Sequence, residues 1–242
     1  MSRVVAFFDI DGTIYREGLI TELFKKITKY ELVDQEVWRD AVEPAYLKWS
    51  RREGDYDEYL LSMVGVFLEA VTGISSEHIK HVAHRVIEQR GDRVYTFTRD
   101  RIKWHREQGH LVIAISGSPI ELVSKMAEKY QMDDFRGTIY QTDEEGCYTG
   151  EIIPMWDAES KQKALSELVE KYEVDLDQSY AYGDTTGDLT MFRAVGHPYA
   201  INPTRELLNI VLSDPELKEK LNVIVERKDV RYRMSLDHTE LF

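Results

Sequence analysis

The chain has 242 residues, 43% of them hydrophobic, enough for a normal core in one large or two small domains. Its formal net charge of −13 repels polyanions, which argues against nucleic acid or an anionic membrane surface as a partner. No segment approaches the ~18 continuous apolar residues of a membrane span, and the first apolar run is cut too early to be a signal peptide, so a cytoplasmic location is expected.

That first run, Val4 to Phe8, reads as a strand of bulky and β-branched residues that stops at Asp9-Ile10-Asp11-Gly12-Thr13. Such a strand delivers carboxylates to the carboxyl end of a sheet, where α/β proteins gather their ligands. Taken alone, the same residues would also make an ordinary Asx-type turn.

From about Gly18 to Gly91 apolar residues recur at helical spacing and no strand is evident. Leu19, Leu23, Ile27 and Tyr30 mark one helix, and Val37, Trp38, Ala41, Val42, Ala45 and Trp49 a second. Tyr56, Leu60, Met63, Phe67 and Val71 mark a third, and Ile79, Val82, Ala83 and Val86 a fourth. Four amphipathic helices with short connections predict a small bundle. His78, His81 and His84 recur every three residues on the last of them; a metal site there would need a further ligand, and a solvated polar face is favoured.

After Gly91 strands and helices alternate, which implies a parallel sheet covered on both faces. A helix near Phe97 to Gln108 precedes a strand ending at Ser116, and Pro119 to Tyr130 reads as a helix with proline in its first turn. Gly137 to Thr142 and Tyr148 to Ile153 read as strands around the turn Asp143-Glu144-Glu145-Gly146. The single cysteine, Cys147, excludes an intramolecular disulfide and reads as a reduced thiol in a loop. A helix beginning near Lys161, a strand to Asp184, a helix through Met191 and a short strand at Tyr199 to Asn202 follow. Asn222 to Glu226 could add an edge strand, and the charged segment Arg227 to Phe242 is expected to be mobile or docked on a neighbour.

Three of these strands end in polar groups that belong together. Beside Asp9 and Asp11 stand Ser116-Gly117-Ser118 and Gly183-Asp184, with Asp188 four residues further on. Lys161 opens the periodic stretch Ala164, Leu165, Leu168, Val169, Tyr172; a positive charge near a helix start opposes the macrodipole, so an anion is expected to face it. Clustered carboxylates repel one another, which raises at least one pKa unless a cation intervenes.

In order and spacing, Asp9-Ile10-Asp11-Gly12-Thr13, Ser116, Lys161 and Gly183-Asp184 with Asp188 resemble the four motifs of the haloacid dehalogenase superfamily of phosphatases. The hundred or so residues between the first two motifs look like the branch with a helical cap after the first motif, which includes phosphoserine phosphatase. The resemblance extends to about Pro203. It implies an α/β fold: a Rossmann-like parallel sheet core from residues 1–17 and 92–242, with a helical bundle cap inserted over residues 18–91.

What the resemblance implies for chemistry is a Mg2+-dependent hydrolase of small phosphomonoesters acting through an aspartyl-phosphate. Asp9 would be the nucleophile and Asp11 the general acid and base. Asp9, the backbone carbonyl of Asp11, Asp184 and Asp188 would hold Mg2+, and Ser116, the amide of Gly117 and Lys161 would bind phosphoryl oxygens. Thr13 would orient Asp9. Lys163 competes with Lys161, but helical periodicity turns it away. Gly187 departs from the Asn often found before the last Asp in phosphoserine phosphatases.

A phosphorylated metabolite is the expected partner, with neither nucleic acid nor membrane, and a homo-oligomer is left open. Three alternatives stand beside this reading: phosphoserine phosphatase proper, a phosphotransferase to an alcohol, and a non-catalytic phosphate-binding regulator. Phosphoserine is disfavoured. The family's Glu for the substrate ammonium falls at Gly18, beside Glu17, and Met63 lies near the position of the cation that pairs with the carboxylate. Met63, Val64 and Phe67 would then face the substrate, with Arg51 and Arg52 the nearby cations.

Overall fold

Every side chain of β1 (Val5–Phe8) is buried, and the alternation of a strand sends Val5 and Phe7 into one apolar cluster and Ala6 and Phe8 into another. The strand therefore lies in the middle of a sheet covered on both sides. The computed structural model describes residues 2–51, 53 and 56–238, and among them the sheet has eight strands. The remaining strands are β2 (Leu111–Pro119), β3 (Asp134–Thr142), β4 (Tyr148–Ile153), β5 (Tyr180–Gly183), β6 (His197–Ile201), β7 (Asn222–Arg227) and β8 (Val230–Met234). They lie in the order β4-β3-β2-β1-β5-β6-β7-β8, parallel except for antiparallel β4 and β8 at the two edges.

The chain leaves β1 toward β2 and β3, then returns past β1 to β5 and β6. That reversal makes the carboxyl ends of β1 and its neighbours the switch point at which such sheets open a crevice. Stacked rings hold the central strands in place, with Phe8 and Tyr182 4.2 Å apart between centroids.

On one face lie α8 (Ala158–Tyr172), α9 (Leu189–Ala194), α10 (Arg205–Ser213) and α11 (Pro215–Lys220), through residues such as Leu165, Leu168, Phe192 and Leu207. The other face packs α6 (Thr96–Glu107) and α7 (Ile120–Tyr130), through Ile102, Leu122 and Met126. Its apolar cluster continues without a break into the helices between β1 and β2, joining Leu23, Phe24, Phe67, Val82 and Val86 to Phe8 and Ala114. Besides α6, the helices between β1 and β2 are α1 (Leu19–Lys29), α2 (Gln35–Val37), α3 (Glu43–Ser50), α4 (Tyr56–Val71) and α5 (Ser76–Arg90).

The chain enters and leaves this helical insert along two adjacent segments. The amide of Tyr95 donates to the carbonyl of Ile14 at 2.9 Å, and that of Arg16 to Arg93 at 3.1 Å. Arg93 and Glu17 pair at 2.9 Å across the same crossing.

Local chemistry accounts for three departures from the periodic reading. The expected helix from Val37 to Trp49 is divided by a π-helical turn at Trp38–Val42. Pro44 explains it, because proline lacks an N–H and its ring clashes with the carbonyl four residues back, here Asp40. Pro119 is the last residue of β2 and caps α7 from outside the helix. Finally, the charged tail is not loose after Arg227: Lys228, at φ 55°, turns the chain into β8, which pairs with β7 from Val223 to Arg227. The alternation of Val230, Tyr232 and Met234 with Arg231 and Arg233 is a strand pattern half hidden by charge. Residues 239–242 of that tail, like Arg52, lie outside the described residues.

Candidate active site at the carboxyl edge of the sheet

The turn after β1 is wound tightly enough to aim its two aspartates apart. The amides of Ile14 and Tyr15 both reach the carbonyl of Ile10 at 2.8 Å, while Gly12 donates to Tyr15 from a left-handed conformation with φ 76°. Asp9 consequently stays over the sheet, its amide bonded to the carbonyl of Tyr182 at 2.9 Å. Asp11 turns toward the helical insert.

Asp9 meets Lys161 and the loop after β5. The Lys161 ammonium donates to Asp9 Oδ1 at 2.9 Å and to Asp188 Oδ1 at 2.6 Å, and it is 3% exposed. Lys163, two residues on, is exposed. Asp157 caps the N-terminus of α8 by accepting from the amide of Ser160 at 2.8 Å, which fixes where the helix starts and so how far Lys161 reaches. Asp188 folds back on its own loop, accepting from the amides of Asp184 at 2.9 Å and Thr185 at 3.1 Å. Gly183 gives it room: a Cβ there would stand 2.3 Å from the Asp188 carboxyl carbon.

Thr13 was expected to orient Asp9, but its buried hydroxyl donates to Asp184 Oδ1 instead, at 3.0 Å. Asp11 accepts from the amide of Leu19 at 2.8 Å and from the Ser118 hydroxyl at 2.5 Å, so its carboxylate joins the first turn of α1 to the end of β2. Ser116 is fully buried at the carboxyl end of β2, and its hydroxyl accepts from the amide of Ser118 at 3.3 Å.

Burial pushes the Asp9 carboxyl up to about 8; Lys161 opposes the shift, and Asp188 and Asp11 add to it. Asp184 is raised well above its ordinary value by burial and by its neighbours Asp9 and Asp188. Burial alone would lower the Lys161 ammonium, but Asp188 and Asp9 outweigh it and hold the group above its usual range. Asp11 is raised by burial to about 6, restrained by the bonds from Ser118 and Leu19.

Asp9, Asp184 and Asp188 each bring one carboxylate oxygen to within 4.8 Å of the others. Three buried acids against one ammonium carry excess negative charge, and an all-oxygen set of this kind suits Mg2+. These three would hold it. The Asp11 carboxylate is engaged elsewhere, which leaves its main-chain carbonyl as its contribution. Gly12 keeps the space beside the cluster open, since a Cβ there would come within 2.0 Å of Asp184 Oδ2.

A cavity of about 490 Å3 opens over these groups, lined by Asp9, Asp11, Ser116, Gly117, Lys161 and Asp184 below and by Ile20, Leu60, Val64 and Trp156 above. Met63 and Phe67 do not line it. Both are buried in the apolar cluster, Met63 against the hydroxyls of Thr21 and Tyr59 at 3.7 and 3.8 Å. Gly187 is backed by the chain at Trp156, where a Cβ would stand 2.6 Å from the Trp156 carbonyl oxygen, so no asparagine fits at this position. Arg51, Glu17 and the three histidines of α5 are exposed and line no part of the cavity.

Sequence reasoning gave Ser118, Ile20 and Trp156 no role in the site. Ser118 carried a signal, since residues two apart on a strand share a face with Ser116. Trp156 carried none, lying in the connection between β4 and α8.

Residues 6–193 match the haloacid dehalogenase-like hydrolase family. Among curated proteins, the chain is 27% identical over 209 residues to an inhibition of morphological differentiation protein of Streptomyces azureus, covering 86% of this chain and 74% of that one. A probable phosphatase of Mycobacterium tuberculosis is 27% identical over 215 residues, covering 85% of this chain and 71% of its own. A solved structure of phosphoserine phosphatase with a phospho-aspartyl intermediate analogue shares the fold with a TM-score of 0.58 at 19% identity, over 95% of this chain and 96% of that one.

Proposed function

Since the chain belongs to the haloacid dehalogenase-like hydrolases, we propose that it is a Mg2+-dependent hydrolase of small phosphomonoesters working through an aspartyl-phosphate on Asp9. The observation that carries this reading is the separation of two carboxylates only two residues apart. Asp9 lies against Lys161 above the sheet, and Asp11 is held by Leu19 and Ser118 toward the space where a leaving group would sit. A nucleophile and a proton carrier need that division of labour.

Asp9 attacks phosphorus and the bond to the alcohol oxygen breaks, while Asp11 gives its proton to the departing alkoxide. Asp11 then takes a proton from water, which attacks the aspartyl-phosphate and releases inorganic phosphate. Ser116, the amide of Gly117 and Lys161 bind the phosphoryl oxygens, where fixed donors stabilise charge in the transition state. Bound at Asp9, Asp184 and Asp188, Mg2+ would supply charge neutralisation for the phosphoryl group. The helical insert acts as a cap that shields the site from bulk water.

The probable phosphatase of Mycobacterium tuberculosis and the phosphoserine phosphatase structure support the reaction class. Asp9→Asn tests it, because it removes the nucleophile while preserving shape. Turnover of phenyl phosphate should be abolished with the fold intact, and Mg2+-dependent turnover near that of the wild type would overturn the covalent mechanism.

A further inference from the structure

We propose, resting on the phosphomonoester hydrolase reading, that the alcohol half of the substrate is an uncharged apolar group, alkyl or aryl, rather than an amino acid. Apart from the reacting groups, Asp157 and the polar residues Ser118, Thr185 and Thr186, the lining of the cavity is hydrocarbon. Leu60 and Val64 stand one helical turn apart on α4, Ile20 comes from the first turn of α1, and Trp156 closes the side next to α8. Among the described residues Lys161 is the one cation lining this cavity, and it is engaged by Asp9 and Asp188.

A substrate carboxylate would therefore enter a space with no cation left to meet it. It would also pass Asp157, the remaining charged residue of the lining once the cluster around Asp9 is set aside. Asp157 is itself committed to the amide of Ser160 as the cap of α8. A desolvated carboxylate without a partner is strongly disfavoured, whereas methylene or ring carbon gains by leaving water.

Trp156 is held in register with the phosphoryl site from both sides. A Cβ on Gly117 would stand 2.9 Å from Trp156 Cβ, and one on Gly187 would stand 2.6 Å from the Trp156 carbonyl oxygen. The loop bearing Ser116 and the loop bearing Asp184 and Asp188 thus both close on the same tryptophan. Its side chain lines the cavity beside the phosphoryl site.

The test is a substrate series on the full chain with Mg2+: methyl, ethyl, butyl, hexyl and phenyl phosphate against O-phosphoserine and phosphoethanolamine. Burial of each methylene should raise kcat/KM by about three- to fourfold until the cavity is filled. Butyl and phenyl phosphate should exceed both charged substrates by about tenfold or more. Alkylphosphonates, which cannot be hydrolysed, should follow the same order as inhibitors, and Trp156→Ala and Leu60→Ala should flatten the series. A flat series, an unchanged slope in both variants, or phosphoserine at or above butyl phosphate would overturn the apolar-group assignment while leaving a phosphatase. If no member of the series is hydrolysed, phenyl phosphate included, the phosphatase reading falls and the assignment with it.

Discussion

Gly12 and Asp184 are packed so closely that a single methyl group on the glycine would stand 2.0 Å from a carboxylate oxygen of the aspartate. The turn after β1 and the turn after β5 are thereby locked into one unit, with Gly12 also at φ 76°, where a side chain is strained. Gly12→Ala should displace Asp184 and lower kcat by about a hundredfold, the loss expected for a small misplacement of a reacting group. Far-ultraviolet circular dichroism should remain that of the wild type. Full activity in this variant would show that Asp184 can move without consequence.

Lys161 and Lys163 offer an internal control on one helix. Lys161 is buried between Asp9 and Asp188, and Lys163 is exposed. Lys161→Gln removes a fixed donor from the transferring group and should reduce kcat by about a hundred- to a thousandfold. Lys163→Gln should stay within about twofold of wild type. Steady-state kinetics of the two variants decide it; equal losses would mean that the helix, and not the individual ammonium, is what matters.

Removal of the metal should stop the reaction. Asp9, Asp184 and Asp188 converge without enough positive charge to balance them, so activity should vanish in excess EDTA and return with Mg2+. Ca2+ should not restore it, since calcium takes more ligands at longer distances and would hold Asp9 in a geometry unsuited to attack. Undiminished turnover in chelator would remove the metal from the mechanism.

Much of this site could be read from the chain because each functional residue terminates an element with its own pattern. Asp9 and Asp184 follow buried apolar strands, Ser116 ends the apolar run of β2, and α8 keeps the spacing Lys161, Ala164, Leu165, Leu168. Contacts made across the fold were less legible. Whether Thr13 bonds Asp9 or Asp184 depends on the twist of a five-residue turn, and period and propensity do not specify it. On α4 the expectation held for Val64, which lines the cavity, but not for Met63 and Phe67, which are buried in the core: periodicity places these residues on an apolar stripe, but which edge of the stripe meets the cavity depends on how the helix is rotated in the insert. Leu60 and Val64 hold that edge. The tail strand β8 was missed because four of its five residues are exposed and arginines interrupt its apolar alternation.

Glu226 ties β7 to the start of α6, 130 residues back in the chain. Its buried carboxylate accepts from the amides of Thr96 and Phe97, each at 2.9 Å, from the Thr96 hydroxyl at 3.0 Å and from Arg16 at 3.0 Å. It does for this helix what an N-cap side chain ordinarily does, since Tyr95 at the cap position offers none. Glu226→Ala leaves two amides and a hydroxyl without their acceptor and should destabilise the fold by about 2 kcal/mol or more. For a chain of this size that is a fall in Tm of about 4–8 °C. Glu226→Gln retains one acceptor oxygen and should fall between. Calorimetry showing no difference between Ala and wild type would mean that water replaces the carboxylate at no cost.

His105 should make the protein acid-sensitive by a route separate from the active-site carboxylates. It is fully buried, with Nε2 2.8 Å from the Tyr182 hydroxyl and Nδ1 2.9 Å from His110 Nδ1. Arg101 donates to the same Tyr182 oxygen at 2.9 Å, an arrangement in which a neutral imidazole with its proton on Nδ1 would accept the hydroxyl proton at Nε2. The groups facing it are Arg101 of α6, His110 before β2, and Tyr180 and Tyr182 of β5, with no carboxylate among these contacts. Burial first, then Arg101 and His110, lower its pKa from 6.5 to about 3. The unfolded chain therefore binds a proton that the folded one refuses over this interval. Stability from this residue is complete above pH 6.5 and is lost as pH falls toward about 3. His105→Gln cannot titrate, so denaturant midpoints between pH 7 and pH 4 should fall less steeply in the variant than in wild type, even if its stability at pH 7 is lower. Parallel slopes for the two proteins would assign the acid sensitivity to the carboxylates alone.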